Sequence, residues 1–465
     1  MKVDYLIVGA GASGLAFLDV ILAETEATVA IVDRRDAPGG HWNDAYPFVR
    51  LHQSSSFYGV PSRELGQDRI TPRGYNAGLF ELASKYEILH YYEDLMETQY
   101  IPSGRVSYFP MSEYRDGAVC SLLTGDKTPI DVIGKTVQAG IWGDLTSIPS
   151  THTRNFAVDN DVSCIPPNDL PRQAPSHDKF TVLGAGKTGM DAVLWLLARD
   201  VNPDDITWVR PNDYWIFQRD KILPHPDFFE QTIGSMTADL ESLATSTTIT
   251  EHCLNLEACG RWQRIDPDVW PERFHAAVCS RREVEAMRRI TDVVRAGHLV
   301  SLHRDRMILQ DAEHATPEAR LYVDCTARAG VAINRPEMKV FDGDVINLAM
   351  VRPFQPLFSA ALVAHLEACV PDEELRQQAT GITDFFDTPA LSLIGQRQGF
   401  INQHVWNQTP AIKNWVDGCR LNAGFHLLRG LGPEDAEKMK MLGRLRPLTA
   451  AAVKNIPRIL AAQDG

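Results

Sequence analysis

The 465-residue chain lacks the sequence features of several classes of protein. No close C-x-x-C pair is present, which argues against a redox dithiol or a zinc knuckle. The 14 histidines show no H-E-x-x-H or similar ligand spacing, so no metal is predicted. No Ser-His-Asp or paired-carboxylate arrangement occurs at readable spacing, and the catalytic residues therefore stay unassigned. The eight cysteines are expected to be buried free thiols: Cys120, Cys164, Cys253, Cys259, Cys279, Cys325, Cys369 and Cys419.

Charge and hydropathy exclude two further classes. The formal net charge of −14 and the absence of a basic stretch interleaved with aromatics argue against nucleic-acid binding. No apolar run is long enough to span a bilayer. The N-terminus reads as a strand rather than a signal peptide. These features predict a cytoplasmic globular protein with a small-molecule partner.

A glycine motif stands close to the N-terminus, as Gly9-Ala10-Gly11-Ala12-Ser13-Gly14. The apolar run 5–8 precedes it, and leucines at helical spacing follow it, so the motif is predicted to be a strand-to-helix turn. Such a turn cradles the diphosphate of a dinucleotide at the helix N-terminus. The next strand, 28–32, ends at Asp33, which is placed to accept hydrogen bonds from ribose hydroxyls.

A second glycine motif repeats this layout as Gly184-Ala185-Gly186-Lys187-Thr188-Gly189. The strand 206–209 that follows it ends at Arg210 instead of an acid. An arginine there can clamp a 2′-phosphate, which favours NADPH over NADH, although an ordinary loop charge is the alternative. Lys187 either adds charge near the phosphates or points to solvent.

The order of the predicted elements places the chain in the α/β class, with two Rossmann-like dinucleotide-binding domains. Residues 1–160 and 321–390 are predicted to form the FAD domain, because the apolar run 321–327 is expected to return to the first sheet. Residues 161–320 are predicted to form the NADPH domain, with a helical insertion over 221–290. Residues 391–465 are predicted to be helical.

The segment after Asp33 resembles a known family. Gly39-Gly40-His41-Trp42-Asn43-Asp44-Ala45-Tyr46-Pro47 is similar to the flavin-binding loop of flavin-containing and Baeyer-Villiger monooxygenases. The continuation 49–53 and 58–61 resembles the flavin-adjacent stretch of that family, and 206–215 resembles its strand at the 2′-phosphate. The resemblance implies FAD at the first glycine motif, NADPH at the second, and His52 and Gln53 beside the flavin.

One family element is missing. The linker fingerprint Phe-x-Gly-x-x-x-His has Val158 and Val162 at its glycine and histidine positions. Two-site flavoprotein architecture is independent of this element, whereas oxygenation in the resembled family depends on it.

The sequence thus predicts an FAD-dependent, NADPH-using oxidoreductase. The resemblance implies a monooxygenase that acts on a small organic substrate with molecular oxygen through a peroxyflavin. The alternatives are a reductase or dehydrogenase that passes electrons to a quinone or a protein, and a non-catalytic nucleotide sensor. The candidate cofactor-binding residues are Gly9, Gly11, Ser13, Gly14, Asp33, Arg34, Gly40, His41, Trp42, His52, Gln53, Gly184, Gly186, Lys187, Thr188, Gly189, Arg210 and Asp324.

Overall fold

The structure is a computed structural model that describes residues 1–140, 148–328, 338–383, 387–432 and 434–462. The strands within these ranges are β1 (Lys2–Val8), β2 (Val29–Val32), β3 (Gly59–Val60), β4 (Arg63–Glu64), β5 (Val106–Phe109), β6 (Ser112–Arg115), β7 (Ala118–Ser121), β8 (Lys127–Pro129), β9 (Asp131–Gln138), β10 (Ala157–Val158), β11 (Cys164–Ile165), β12 (Phe180–Leu183), β13 (Ile206–Val209), β14 (Ile216–Gln218), β15 (Trp262–Gln263), β16 (Val278–Cys279), β17 (Val293–Val294), β18 (Leu299–Leu302), β19 (Arg306–Leu309), β20 (Glu313–Ala315), β21 (Leu321–Asp324), β22 (Phe341–Asp342) and β23 (Val345–Asn347).

The α-helices of the same ranges are α1 (Ala12–Glu24), α2 (Lys85–Leu95), α3 (Leu170–Gln173), α4 (Lys187–Leu197), α5 (Phe229–Thr245), α6 (Ile249–Ala258), α7 (Arg281–Met287), α8 (Pro356–Cys369), α9 (Glu373–Ala379), α10 (Pro389–Gln408), α11 (Pro410–Gly418), α12 (Ala423–Leu427) and α13 (Ala436–Ala461). None of these helices combines the length and the apolar character that a bilayer span requires.

The first sheet has six strands in the order β22-β23-β9-β1-β2-β5. All neighbours pair in parallel except β22 and β23. The apolar run in β1 lies at the centre of this sheet, and α1 packs between the sheet and α8. This double coverage explains why α1 is buried continuously from Gly14 to Ile21.

The second sheet has five parallel strands in the order β11-β21-β12-β13-β17. Two parallel sheets, each with a glycine turn after a central strand, confirm the predicted α/β class with two dinucleotide-binding folds.

The placement of residues 321–327 corrects one prediction. The sequence assigned this run to the first sheet, but β21 pairs with β12 over Phe180–Leu183 and belongs to the second. All four residues of β21 are buried, and a run buried on both faces suits the interior of either sheet. The chain returns to the first sheet only at β22 and β23.

The region predicted as a helical insertion, 221–290, contains α5, α6 and α7. It also supplies β15 and β16, which join β14 in a small three-stranded sheet. The C-terminal region is helical in its described part, and α13 packs along α5. The C-terminal helices therefore cover the insertion.

Candidate functional site

Both glycine motifs form the same strand-to-helix turn. The first glycine of each, Gly9 and Gly184, has a φ above +100°, which favours glycine. The last glycine of each turn leaves no space for a side chain. A Cβ on Gly14 or Gly189 would lie 2.1 Å from the carbonyl oxygen of the first glycine of its turn. Each turn therefore requires its first and last glycines for its own geometry.

The middle glycines, Gly11 and Gly186, begin the helices that follow the turns. Each occupies the N-cap position of its helix, and no side chain caps the exposed N–H groups there. By contrast, Ser84 and Ser280 cap α2 and α7 with reciprocal capping boxes. The bare N-termini of α1 and α4 leave backbone donors for a diphosphate, so both turns fit a dinucleotide.

The first turn is held by Asp33 and by the loop that resembles a flavin-binding loop. The Asp33 carboxylate accepts hydrogen bonds from the backbone N–H of Ala10 at 2.7 Å and of Arg35 at 2.9 Å. A Cβ on Gly40 would lie 2.9 Å from the Cα of Gly11, so only glycine allows this approach. Asp33 thus organises the turn, and Gly40 brings the loop against it.

A cavity of about 1470 Å³ opens beside the second turn. The turn residues Gly184, Gly186, Lys187 and Thr188 line it. The segments that resemble the flavin-adjacent stretch line it as well, through His41, Trp42, His52 and Gln53. The two groups of residues lie more than 130 positions apart in the chain, and the fold brings them to one space. The wall also contains Phe57, Tyr58, Phe354, Leu357, Phe358 and Leu421.

Ten predicted site residues are not among the described residues that line this cavity: Gly9, Gly11, Ser13, Gly14, Asp33, Arg34, Gly40, Gly189, Arg210 and Asp324. The first turn connects to the cavity through Gly40, because His41 and Trp42 follow it directly. Most of the predicted residues therefore lie at the first turn or at the cavity, whereas Arg34, Gly189, Arg210 and Asp324 belong to neither group.

Lys187 forms an internal ion pair instead of pointing to solvent. Its ammonium contacts the Asp191 carboxylate one helical turn later, and the other Asp191 oxygen accepts a hydrogen bond from the Tyr46 hydroxyl at 2.6 Å. Burial opposes the charge of Lys187, but Asp191 together with Cys279 and Glu283 favours it, and the pKa of Lys187 is raised. This chain of contacts joins α4 to the flavin-loop segment.

His52 is uncharged in this environment. Burial, reinforced by the positive charges of Lys187 and Arg219, holds the pKa of His52 well below its usual range. The buried Arg219 donates to the His52 carbonyl at 3.1 Å and pairs with Glu283 at 2.8 Å. His52 therefore presents a neutral imidazole to the cavity.

Arg210 does not have the role that the sequence predicted. Its side chain is only 3% exposed, forms an ion pair with Asp213, and lies over the Trp208 ring at 4.9 Å. Burial and the nearby Arg295 lower the pKa of Arg210 to about 10. An arginine fixed in this way faces no open space, so the structure corrects its assignment as a 2′-phosphate clamp.

Arg34 and Asp324, also predicted as cofactor-binding residues, lie in contrasting environments. Arg34 is largely exposed, and Glu113 is 3.8 Å from its Nε. The buried Asp324 carboxylate is fully engaged by His152 at 3.0 Å, by Arg154 at 3.1 Å and by the Thr326 backbone and hydroxyl. Asp324 fastens the end of β21 instead of presenting a free carboxylate to a cofactor.

Sequence reasoning missed Arg420, which anchors the flavin-adjacent stretch. This buried guanidinium donates to the backbone carbonyls of Ser56, Tyr58, Val60 and Arg63. The loop that carries Tyr58 into the cavity wall therefore depends on a side chain more than 350 residues away. No local pattern around Arg420 signals this contact.

Replacing Arg420 by Leu is expected to lower the free energy of unfolding by about 3 kcal/mol or more, because four buried or partly buried carbonyls would lose a charged donor. Urea denaturation of the purified variant measures this effect. Arg446→Leu, at an exposed position of α13, is the matched control and is expected to change stability by less than about 0.5 kcal/mol. Equal stability of the two variants would show that Arg420 does not anchor the loop.

Comparison with known proteins supports the prediction that the first glycine motif is a dinucleotide-binding turn. A model of the NAD(P)-binding Rossmann-like domain family matches residues 7–51, which include Gly9–Gly14, Asp33 and Trp42. Uncharacterized proteins of Mycobacterium tuberculosis and Mycobacterium bovis are each 37% identical over 463 residues. These matches cover 99% of this chain and 85% of each mycobacterial protein.

Several solved structures resemble the chain at low sequence identity. A flavin-containing monooxygenase of Stenotrophomonas maltophilia is 13% identical, with 79% of this chain and 97% of that chain covered and a TM-score of 0.44. A polycyclic ketone monooxygenase of Thermothelomyces thermophila is 12% identical, with coverages of 98% and 88% and a TM-score of 0.49. A bacillithiol disulfide reductase of Bacillus cereus is 12% identical, with coverages of 79% and 99% and a TM-score of 0.46.

Proposed function

The chain belongs to one family with the mycobacterial proteins, and we propose that it is an FAD-dependent oxidoreductase that uses NADPH. One observation carries this proposal: the second glycine turn and the flavin-loop residues His41, Trp42, His52 and Gln53 line the same cavity. A nicotinamide cofactor bound at the turn of Gly186 and a flavin cofactor bound at the turn of Gly11 would therefore meet in this cavity. FAD, when bound, supplies the two-electron chemistry, and the chain positions and shields the reacting groups.

The residues of the chain have separate tasks in this proposal. The N–H groups at the starts of α1 and α4 bind the two diphosphates. Trp42 is fixed for contact with the flavin ring, because its Nε1 donates to the Tyr58 hydroxyl at 2.7 Å. The neutral His52 would add no charge beside that ring, and the hydrogen bond from Tyr46 to Asp191 joins α4 to the flavin-loop segment.

We propose further that the reaction is the monooxygenation of a small organic substrate. Aromatic and aliphatic side chains form much of the cavity wall, and oxygenation requires a site from which water is largely excluded. The cavity also exceeds the roughly 300–1,000 Å³ of a common ligand pocket, in keeping with a site where more than one molecule binds. A reductase that passes electrons to an external acceptor would not need such an apolar wall.

The fate of oxygen tests this proposal. With FAD, NADPH and ¹⁸O₂, we expect the protein to transfer one labelled oxygen atom to at least one member of a panel of sulfides, amines and ketones, as measured by mass spectrometry. Gly186→Val, which blocks the second turn, serves as the matched control and should give no labelled product. Unlabelled substrates with stoichiometric hydrogen peroxide, or rapid NADPH-dependent reduction of a quinone, would contradict monooxygenation and support the reductase alternative.

A further inference from the structure

The loop after β13 lines the cavity through residues other than Arg210. In a dinucleotide fold, the ribose of the adenosine half lies beside the end of the strand that follows the glycine helix. Here that strand is β13, and Pro211, Asn212 and Tyr214 of the following loop line the cavity. Since Arg210 is buried against Trp208 and Asp213, a 2′-phosphate at this loop needs another cation.

Arg273 provides that cation from the insertion. It lies beside the same loop, because its backbone N–H donates to the Asp213 carbonyl and its own carbonyl accepts from the Trp215 N–H at 2.9 Å. Its Nε points toward the Asn212 Oδ1 at 3.4 Å. The side chain is 34% exposed and lines the cavity that the second glycine turn also lines. Its guanidinium is therefore accessible from the space where the nucleotide binds.

Asp387 is the internal partner of this arginine. Its carboxylate contacts the Arg273 guanidinium and accepts a hydrogen bond from the His275 Nε2 at 2.7 Å. All three side chains line the cavity and are partly exposed. A guanidinium offers five N–H donors in a planar fork and binds phosphate as well as carboxylate, so a phosphate can compete with the Asp387 carboxylate for the Arg273 donors.

We propose that Arg273 is the residue that selects NADPH by binding its 2′-phosphate, and that Asp387 opposes this selection as a competing anion. The inference rests on the proposed use of NADPH at the second glycine turn. It transfers the role that sequence position gave to Arg210 to a residue of the inserted segment. Asn212 orients Arg273, and His275 shares the Asp387 carboxylate.

Isothermal titration calorimetry tests this inference without turnover. The probes are adenosine 2′,5′-bisphosphate and 5′-AMP, which differ only in the 2′-phosphate, and each is titrated into the flavin-loaded full chain. Wild-type protein is expected to bind the bisphosphate about 10- to 100-fold more tightly, which is the range of one charge-assisted contact. Arg273→Gln should abolish this preference and leave the affinity for 5′-AMP within about twofold.

Three further variants separate the alternatives. Asp387→Asn should increase the preference for the bisphosphate, a gain that misfolding cannot produce. Arg295→Gln is the matched control: this arginine is 31% exposed and also pairs with Asp213, but it is not among the described residues that line the cavity. The Arg295→Gln protein should prefer the bisphosphate over 5′-AMP as strongly as the wild type does. Arg210→Ala should lower the melting temperature and keep the preference.

The outcomes are distinguishable. The inference would be overturned if the Arg273→Gln protein kept the preference for the bisphosphate, or if its affinities for the two probes fell by the same factor. Binding of both probes to the wild-type protein would still support the proposed nucleotide site. A decrease in preference in Asp387→Asn would overturn the competing role of Asp387. If neither probe binds the wild-type protein, the proposed nucleotide site at the second turn fails, and the inference fails with it.

Discussion

Replacing Gly186 by Val is expected to reduce the rate of flavin reduction at a fixed, sub-saturating NADPH concentration by about 100-fold or more. The backbone at Gly186 is extended, with φ −68° and ψ 179°, so valine can adopt it. A Cβ added there meets no other heavy atom within 4 Å and projects into open space at the start of α4. The branched side chain would occupy the place of the diphosphate while the fold stays intact.

Stopped-flow absorbance measures this effect, and two controls identify its cause. Gly443→Val adds the same side chain at an exposed position of α13 where a Cβ also meets nothing within 4 Å. Its reduction rate should match that of the wild type. The Gly186→Val protein should keep its flavin content and melting temperature. A variant that is still reduced by NADPH at the wild-type rate would remove the second turn from the site.

Replacing Gly11 by Val is expected to yield a protein that lacks flavin. A Cβ on Gly11 would lie 3.6 Å from the Gly40 Cα, so the first carbon fits but the two methyl groups would fill the groove between the turn and the flavin loop. The diphosphate would then lose its approach to the backbone N–H groups of α1. Flavin content, read from the visible spectrum after release from the purified protein, is expected to fall to about one tenth or less.

The two glycine variants should have complementary effects. Gly11→Val should bind adenosine 2′,5′-bisphosphate with wild-type affinity, because the second turn lies on a different sheet. Gly186→Val should do the reverse and hold flavin but not the bisphosphate. If Gly11→Val retained full flavin content, the first turn would not be the flavin diphosphate site. If it lost both ligands together, the defect would be one of folding.

The local parts of the fold could be predicted from sequence because their causes are local. The buried run in β1, the positive φ at Gly9 and the contact between Gly14 and the Gly9 carbonyl all lie within a few residues of each other. The sheet to which β21 belongs could not be predicted. A strand that is buried on both faces suits the interior of either sheet, and its hydrogen-bonded partner β12 is set by the three-dimensional arrangement.

The contrast between local and long-range contacts also explains which parts of the site could be predicted from the sequence. Sequence position placed an arginine at the end of β13, but it could not show that the Arg210 side chain turns inward to Asp213 and Trp208. Arg273 and Asp387 are 114 residues apart, and Arg420 reaches carbonyls over more than 350 residues. Contacts of this range leave no periodic or motif signal, so only the folded chain reveals them.

Anaerobic titration of the flavin-loaded protein with NADPH tests the central claim most directly. The account predicts that the purified chain carries or takes up FAD, and that about one equivalent of NADPH bleaches its visible absorbance, since one hydride reduces one flavin. NADH should be less effective at the same concentration. A protein that takes up no flavin, or one whose bound flavin keeps its oxidised spectrum in excess NADPH, would contradict the claim that both cofactors meet in one cavity.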